Sequence, residues 1–206
     1  MVGVVSDDVF DDPSGTREEI LAATYQALVE HGYADLTIER IGDELEKSQS
    51  LIYHHYDGKD DLVLSCLEFM LERFEATMAE DELDDPRDRL ERVVDWMLAP
   101  ELDSEHRQFF ATTLELRARA NYDSAYRDHF TRSDRTFDRR IATIVREGIE
   151  QGEFRECDPE AVASTLMTLL TGALFRRSSV DDTEWLEGVR EEVDAYLEQC
   201  VYATDE

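Results

Sequence analysis

Lysine is almost missing from this sequence. Among 206 residues there are 21 basic ones, and Lys47 and Lys59 are the only two that are not arginine; they face 50 acidic residues, for a formal net charge of −29. Cysteine is scarce as well. Cys66, Cys157 and Cys200 are three in number, far apart, and form neither a CxxC pair nor a zinc spacing. That excludes a disulfide framework and reads as small core or interface residues in a reducing cytoplasm. No run of about 18 apolar residues occurs, so no transmembrane helix is expected. Period-two alternation is absent over any length that would make a strand. His-x-x-x-His and Glu-x-x-His pairs and nucleophile motifs are also lacking, which argues against a helical-bundle metal oxidase and against an enzyme generally. No cofactor is implied.

The acidic residues are spread along the whole chain and do not form one tail. Combined with arginine in place of lysine, this pattern resembles the proteins of salt-loving archaea. Asp and Glu keep a surface hydrated when salt competes for water. At about 1 M salt the Debye length falls to about 3 Å, so self-repulsion is screened. The hydrophobic content of 42% is sufficient for a packed core. The first 15 residues, MVGVVSDDVFDDPSG, lack a basic n-region and read as a mobile acidic tail.

Helical spacing dominates the remainder. Thr16 and Glu19 form a capping-box signature, Ile20, Ala23, Thr24, Ala27 and Leu28 repeat on one face, and Gly32 stops the helix. Thr37 caps a short second helix bearing Ile38, Ile41 and Leu45. Ser48 caps a third, from about Gln49 to His55, with Ile52 and Tyr56 facing inward. After Asp57-Gly58 a long helix runs from about Asp60 to Ala79. Pro86 opens the next and Pro100 ends it. Further helices are expected at 104–119, 124–151, 159–177 and 183–202. The reading is an all-α chain of about nine helices.

The segment from Thr37 to His55 has the pattern of a helix-turn-helix, and its surroundings make it specific. Gly32, Tyr33, Thr37, Ile38, Ile41, Ser48, Ile52, Tyr53, His55, Tyr56, Lys59 and Leu62 stand in the order and spacing of the TetR family of transcriptional repressors, which residues 16–65 resemble. Three positions depart from the family pattern: Glu46 where the turn glycine is usual, Lys47 at an apolar site, and Ser50 where Gly is common. The resemblance implies a DNA-binding domain at 16–60 and an effector-binding and dimerisation domain at 61–206. It implies a homodimer bound to a double-stranded operator, with no membrane partner. Gln49, Ser50, Leu51 and His54 would face base edges in the major groove. Tyr53, His55, Thr37 and Lys59 would hold phosphates, Lys59 with help from a helix N-terminus. Lys47 and Ser48 would add contacts from the turn. The two lysines thus stand where a phosphate is to be met.

The stretches LELRARANYDSAYR and REGIEQGEFRECDPEAVA resemble the C-terminal domain of choline-betaine-type repressors of that family, a likeness that names no ligand. A small-molecule effector is expected among Trp96, His106, Phe109, Phe110, Thr113, Arg117, Tyr122 and Tyr126, because aromatics with a few polar groups suit a ligand cavity. Small residues Ala161, Thr165, Thr168 and Gly172 make one stripe on the eighth helix, flanked by Leu169. In the last helix Leu186, Val189, Val193 and Leu197 make another. Paired with their copies they would form a four-helix dimer interface.

Overall fold

A helical period kept up from Thr16 to Cys200 produces helices and little else. The computed structural model describes residue 10 and residues 13–45, 49–80, 85–102 and 104–203, leaving aside the side chains of 77–80 and 105. Nine α-helices form among the described residues. They are α1 (Thr16–Asp35), α2 (Ile38–Glu44), α3 (Ile52–His55), α4 (Lys59–Glu80), α5 (Pro86–Met97), α6 (Ser104–Arg119), α7 (Ser124–Gln151), α8 (Pro159–Arg177) and α9 (Trp185–Cys200). A single 3-10 turn, Gln49–Leu51, precedes α3. The only strand-like pairing among the described residues is one antiparallel bridge, Phe154 to Tyr202. No helix in this set is long and apolar enough to cross a membrane.

Three local expectations need correction. The capping box at Thr16 and Glu19 is replaced by another arrangement. Gly15 occupies the N-cap, and the Ser14 amide donates to Glu18 at 2.9 Å. That bond holds the Glu18 carboxyl below its ordinary range. Gly32 interrupts α1 without ending it: at φ 71°, ψ 165° it kinks the helix, which resumes through Asp35. The third helix does not run unbroken from Gln49, because its first three residues take the tighter 3-10 form.

Packing divides the described residues into two compact units, Met1–Ala79 with Asp103–Arg132, and Glu80–Leu102 with Ser133–Glu206. The first unit therefore takes in α6 and the start of α7 along with the helix-turn-helix. Its core joins Ile20, Leu21, Ala27 and Leu28 of α1 to Ile41, Ile52 and Tyr56, and to Leu62, Val63 and Cys66 of α4. Leu116, Tyr126 and Phe130 close it from α6 and α7. Phe10 stacks on Tyr25 and Phe69 at ring separations of 5.2 and 5.4 Å. Burial pushes the Cys66 thiol up to about 12, so it behaves as a small apolar side chain.

In the second unit Leu90, Val94, Ile144, Val145, Leu166, Leu170, Val193 and Leu197 are buried. Arg155 closes the end of α9, donating to the carbonyls of Glu198, Gln199 and Tyr202 at 3.0, 2.6 and 2.8 Å. It thereby supplies donors to carbonyls that a helix C-terminus leaves without partners. At the start of α8 the Asp158 carboxylate accepts from the amides of Glu160 and Ala161, both at 3.1 Å, with Pro159 in the first turn. Asp158→Ala is expected to cost about 1 kcal/mol of stability. The check is a lower midpoint at unchanged slope in chemical denaturation; an unmoved midpoint would mean that water caps this end equally well.

Candidate nucleic-acid interface

Thr37 begins the interface by capping α2: its hydroxyl oxygen accepts from the Arg40 amide at 3.2 Å, which leaves its hydroxyl proton free to donate. Glu46, Lys47 and Ser48 lie outside the described residues. Beyond them Gln49 returns across α2 so closely that a Cβ at Gly42 would sit 2.4 Å from its Cγ. Any larger residue there would push the Gln49 side chain aside. Ile52 and Tyr56 are buried and hold α3 to the core. They leave Gln49, Ser50, Tyr53, His54 and His55 exposed, Tyr53 by 64%. Leu51 differs from expectation. It is half-buried and packs against the core cluster, so part of its surface serves the fold.

Lys59 opens α4 and does not extend freely into solvent. Its ammonium donates to the Tyr33 carbonyl at 3.1 Å and lies 4.2 Å from the centre of the Tyr33 ring. Beside it Asp61 accepts from the Asp57 amide at 3.0 Å, tying the connecting turn to α4. Asp60 gathers three donors on one oxygen: the Tyr33 hydroxyl, Arg119 at 3.2 Å and the Tyr126 hydroxyl at 3.4 Å. The Arg119 guanidinium lies 4.2 Å from the Tyr33 ring and 5.1 Å from that of Tyr126. Burial, reinforced by the Asp60 carboxylate, pushes the Tyr33 phenol up to about 12, and burial raises Tyr126 as well. Glu115 completes the group, accepting from the amides of Tyr33 at 3.0 Å and Ala34 at 3.1 Å. Sequence reading passed over Asp60, Glu115 and Arg119. Glu115 lies 82 positions from Tyr33, and no local pattern marks such a pairing.

The residues proposed for an effector stand on α5, α6 and α7 and in the turn before α7. His106, Phe109, Phe110, Thr113 and Arg117 all stand on α6. Phe109 and Phe110 have ring centres 5.6 Å apart, and the Arg117 guanidinium reaches 4.6 Å from the Phe130 ring. Thr113 spends its hydroxyl proton on the Phe109 carbonyl. Tyr122 is 94% exposed in the turn between α6 and α7, and Tyr126 is part of the core with its hydroxyl on Asp60. Trp96 belongs to the other unit.

On α8 the stripe of Ala161, Thr165, Thr168, Leu169 and Gly172 is exposed, and it continues to Phe175, 65% exposed. Extending the same spacing by three positions beyond Gly172 finds Phe175. The α9 stripe needs correction. Leu186, Val193 and Leu197 are buried by their own chain, and Val189 is half-buried. Side chains enclosed by their own chain leave little surface for a partner.

Residues 20–66 match the bacterial regulatory proteins of the tetR family, and residues 86–201 match the C-terminal domain of BetI-type transcriptional repressors. A TetR transcription regulator from Haloarcula marismortui ATCC 43049 is 39% identical, with TM-score 0.77, covering 90% of this chain and 97% of that one. The repressor AcnR of Corynebacterium diphtheriae is 29% identical over 174 residues, 84% of this chain and 86% of that protein. A transcriptional regulator from Saccharomonospora viridis, solved in complex with choline, shares the fold at TM-score 0.75 and 24% identity, covering 91% of this chain and 98% of that one.

Proposed function

The chain belongs to the TetR family of transcriptional regulators, and on that premise we propose that it is a homodimeric repressor, seated on a palindromic operator and released by a small-molecule effector. The observation that carries this reading is the exposed row Gln49, Ser50, Tyr53, His54 and His55, standing on the buried anchors Ile41, Ile52 and Tyr56. Gln49 offers a donor and an acceptor to a base edge, and Ser50 and His54 flank it. Tyr53, His55, Thr37 and Lys59 meet phosphates, with Lys47 and Ser48 adding contacts from the turn. Two such heads related by a twofold axis fit half-sites about 34–36 Å apart.

The exposed α8 face supports the dimer. Leu169 and Phe175 are large apolar groups left in solvent beside Ala161, Thr165 and Gly172, whose small side chains let a twofold mate approach closely. The effector is assigned to the helices after residue 61, where α6 supplies His106, Phe109, Phe110, Thr113 and Arg117. It releases the operator by favouring a state in which the two heads no longer fit both half-sites.

The protein works in molar salt in the cytoplasm. A charge of −29 opposes DNA at ordinary ionic strength. A Debye length of about 3 Å near 1 M screens that repulsion, while direct contacts from Lys59, Tyr53 and Gln49 persist at short range. The test is selection of binding sites from random duplex DNA in molar KCl. A twofold-symmetric sequence should be enriched; recovery of no common sequence over the whole range from low to molar salt would end this reading.

A further inference from the structure

The helix-turn-helix is held at both of its ends by residues that lie outside it. Tyr33 and Ala34 come just before Thr37, the cap of α2, and Lys59 and Asp60 come just after His55, the end of α3. All four are tied into one polar cluster. Glu115 of α6 spreads its two carboxylate oxygens over the Tyr33 and Ala34 amides at 3.0 and 3.1 Å. Those amides follow the kink at Gly32, whose φ of 71° withdraws them from regular helical pairing. Arg119, one turn further along α6, donates to Asp60 at 3.2 Å and covers the Tyr33 ring. Tyr33 then joins the two ends directly, its hydroxyl on Asp60 and its carbonyl on Lys59.

We infer that Glu115 and Arg119 are positioning residues for operator recognition: from α6 they set the angle at which α1 and α4 present the reading helix and the Lys59 ammonium. The inference rests on the proposed seat of this head on DNA. Magnitudes favour orientation over stability as their role. The Arg119 and Asp60 side chains are 34% and 55% exposed, and pairs so open to water add little to global stability. The hydrophobic core of the unit, from Ile20 to Phe130, holds the fold without them. Ile41, Leu45, Ile52 and Tyr56 seat the short α2 and α3 on that core. The cluster adds a second set of ties, on the chain just before α2 and just after α3. It also holds Lys59 with its charge at the mouth of α4, so a phosphate meets a preformed donor and binding loses less entropy.

The test uses Glu115→Ala, Glu115→Gln and Arg119→Ala in the full chain. Affinity for the selected operator and for a scrambled duplex is measured in molar KCl, together with hydrogen exchange at the Tyr33 and Ala34 amides and the thermal midpoint. Glu115→Ala should weaken operator binding about tenfold and leave scrambled-duplex binding unchanged. The Tyr33 and Ala34 amides should exchange faster while the midpoint stays put. Glu115→Gln, which keeps one acceptor, should fall between, and Arg119→Ala should weaken the operator without exposing the two amides. Unchanged operator affinity with fast amide exchange would overturn the inference. So would a loss of affinity that tracks a falling midpoint across all three variants, because that is a stability effect. A wild-type chain that discriminates no operator at all is a separate outcome, and it removes the DNA-binding reading beneath.

Discussion

Replacing Tyr53 and Lys59 together by Ala is expected, on the proposed reading, to lower operator affinity by at least about a hundredfold in molar KCl. Each subunit loses one hydroxyl and one ammonium contact, and the dimer loses each twice. At about 1 kcal/mol per contact the four come to about 4 kcal/mol, well above the 2.7 kcal/mol that a hundredfold represents. Stability should hold, because Tyr53 is 64% exposed and contributes nothing to the buried cluster. Lys59 needs a control, since it also touches the Tyr33 ring and carbonyl. Tyr53→Phe alone supplies it: the ring remains, the hydroxyl goes from both subunits, and affinity should drop about thirtyfold with Lys59 in place. Fluorescence anisotropy on a labelled operator reads both. Full occupancy by the double variant would remove this face from the DNA and require another surface to carry recognition.

If the α8 face is the dimer seat proposed above, Leu169→Glu with Phe175→Glu should turn the protein into a monomer. Both residues stand on the exposed side of α8, at 43% and 65% exposure. Across a twofold axis each substitution brings its charge in twice, into a patch otherwise made of Ala161, Thr165 and Gly172. An uncompensated buried charge costs about 3–5 kcal/mol, so the pair should weaken the dimer by a factor of about a thousand or more. Sedimentation velocity would show a species near the chain mass of 23.8 kDa. Operator binding should fall with it, since one head alone reads a single half-site. An intact dimer would place the contact elsewhere.

The −29 charge and the two lysines give these measurements their conditions. In dilute buffer, repulsion among carboxylates opposes both the compact state and dimer contact. In molar KCl it is screened, and what remains visible is packing and close polar contact. The polar cluster at Tyr33 suits that setting. Its bonds are direct contacts of 3.0 to 3.4 Å with no room for an ion between the partners, and Glu115 accepts from amides that carry no net charge.

The elements themselves were legible in the primary structure because helix formation is largely local. Pro86 and Pro159 at helix starts, Asp85 and Asp158 before them, and apolar repeats such as Ile20, Ala23, Ala27 and Leu28 all act within a few residues of themselves. The helix-turn-helix was legible for the same reason, since its pattern is set by neighbours within residues 20–66. The α9 stripe was misread because apolar spacing states that a face is covered and does not state by what. Leu186 and Leu197 are covered by their own chain, whereas Leu169 and Phe175 are not.

By itself, then, the order of residues determined an all-helical chain, the position of its helix-turn-helix and its extreme acidity, properties set by neighbours in sequence or by composition. Tertiary structure alone decided that α6 belongs with the reading head, that Glu115 and Arg119 grip both ends of the helix-turn-helix, and which apolar face of α8 and α9 stays open. Those outcomes depend on pairs such as Glu115 with Tyr33 and Arg119 with Asp60, 82 and 59 positions apart. No short-range periodicity encodes such meetings, because they arise only when the core closes and brings distant helices into contact.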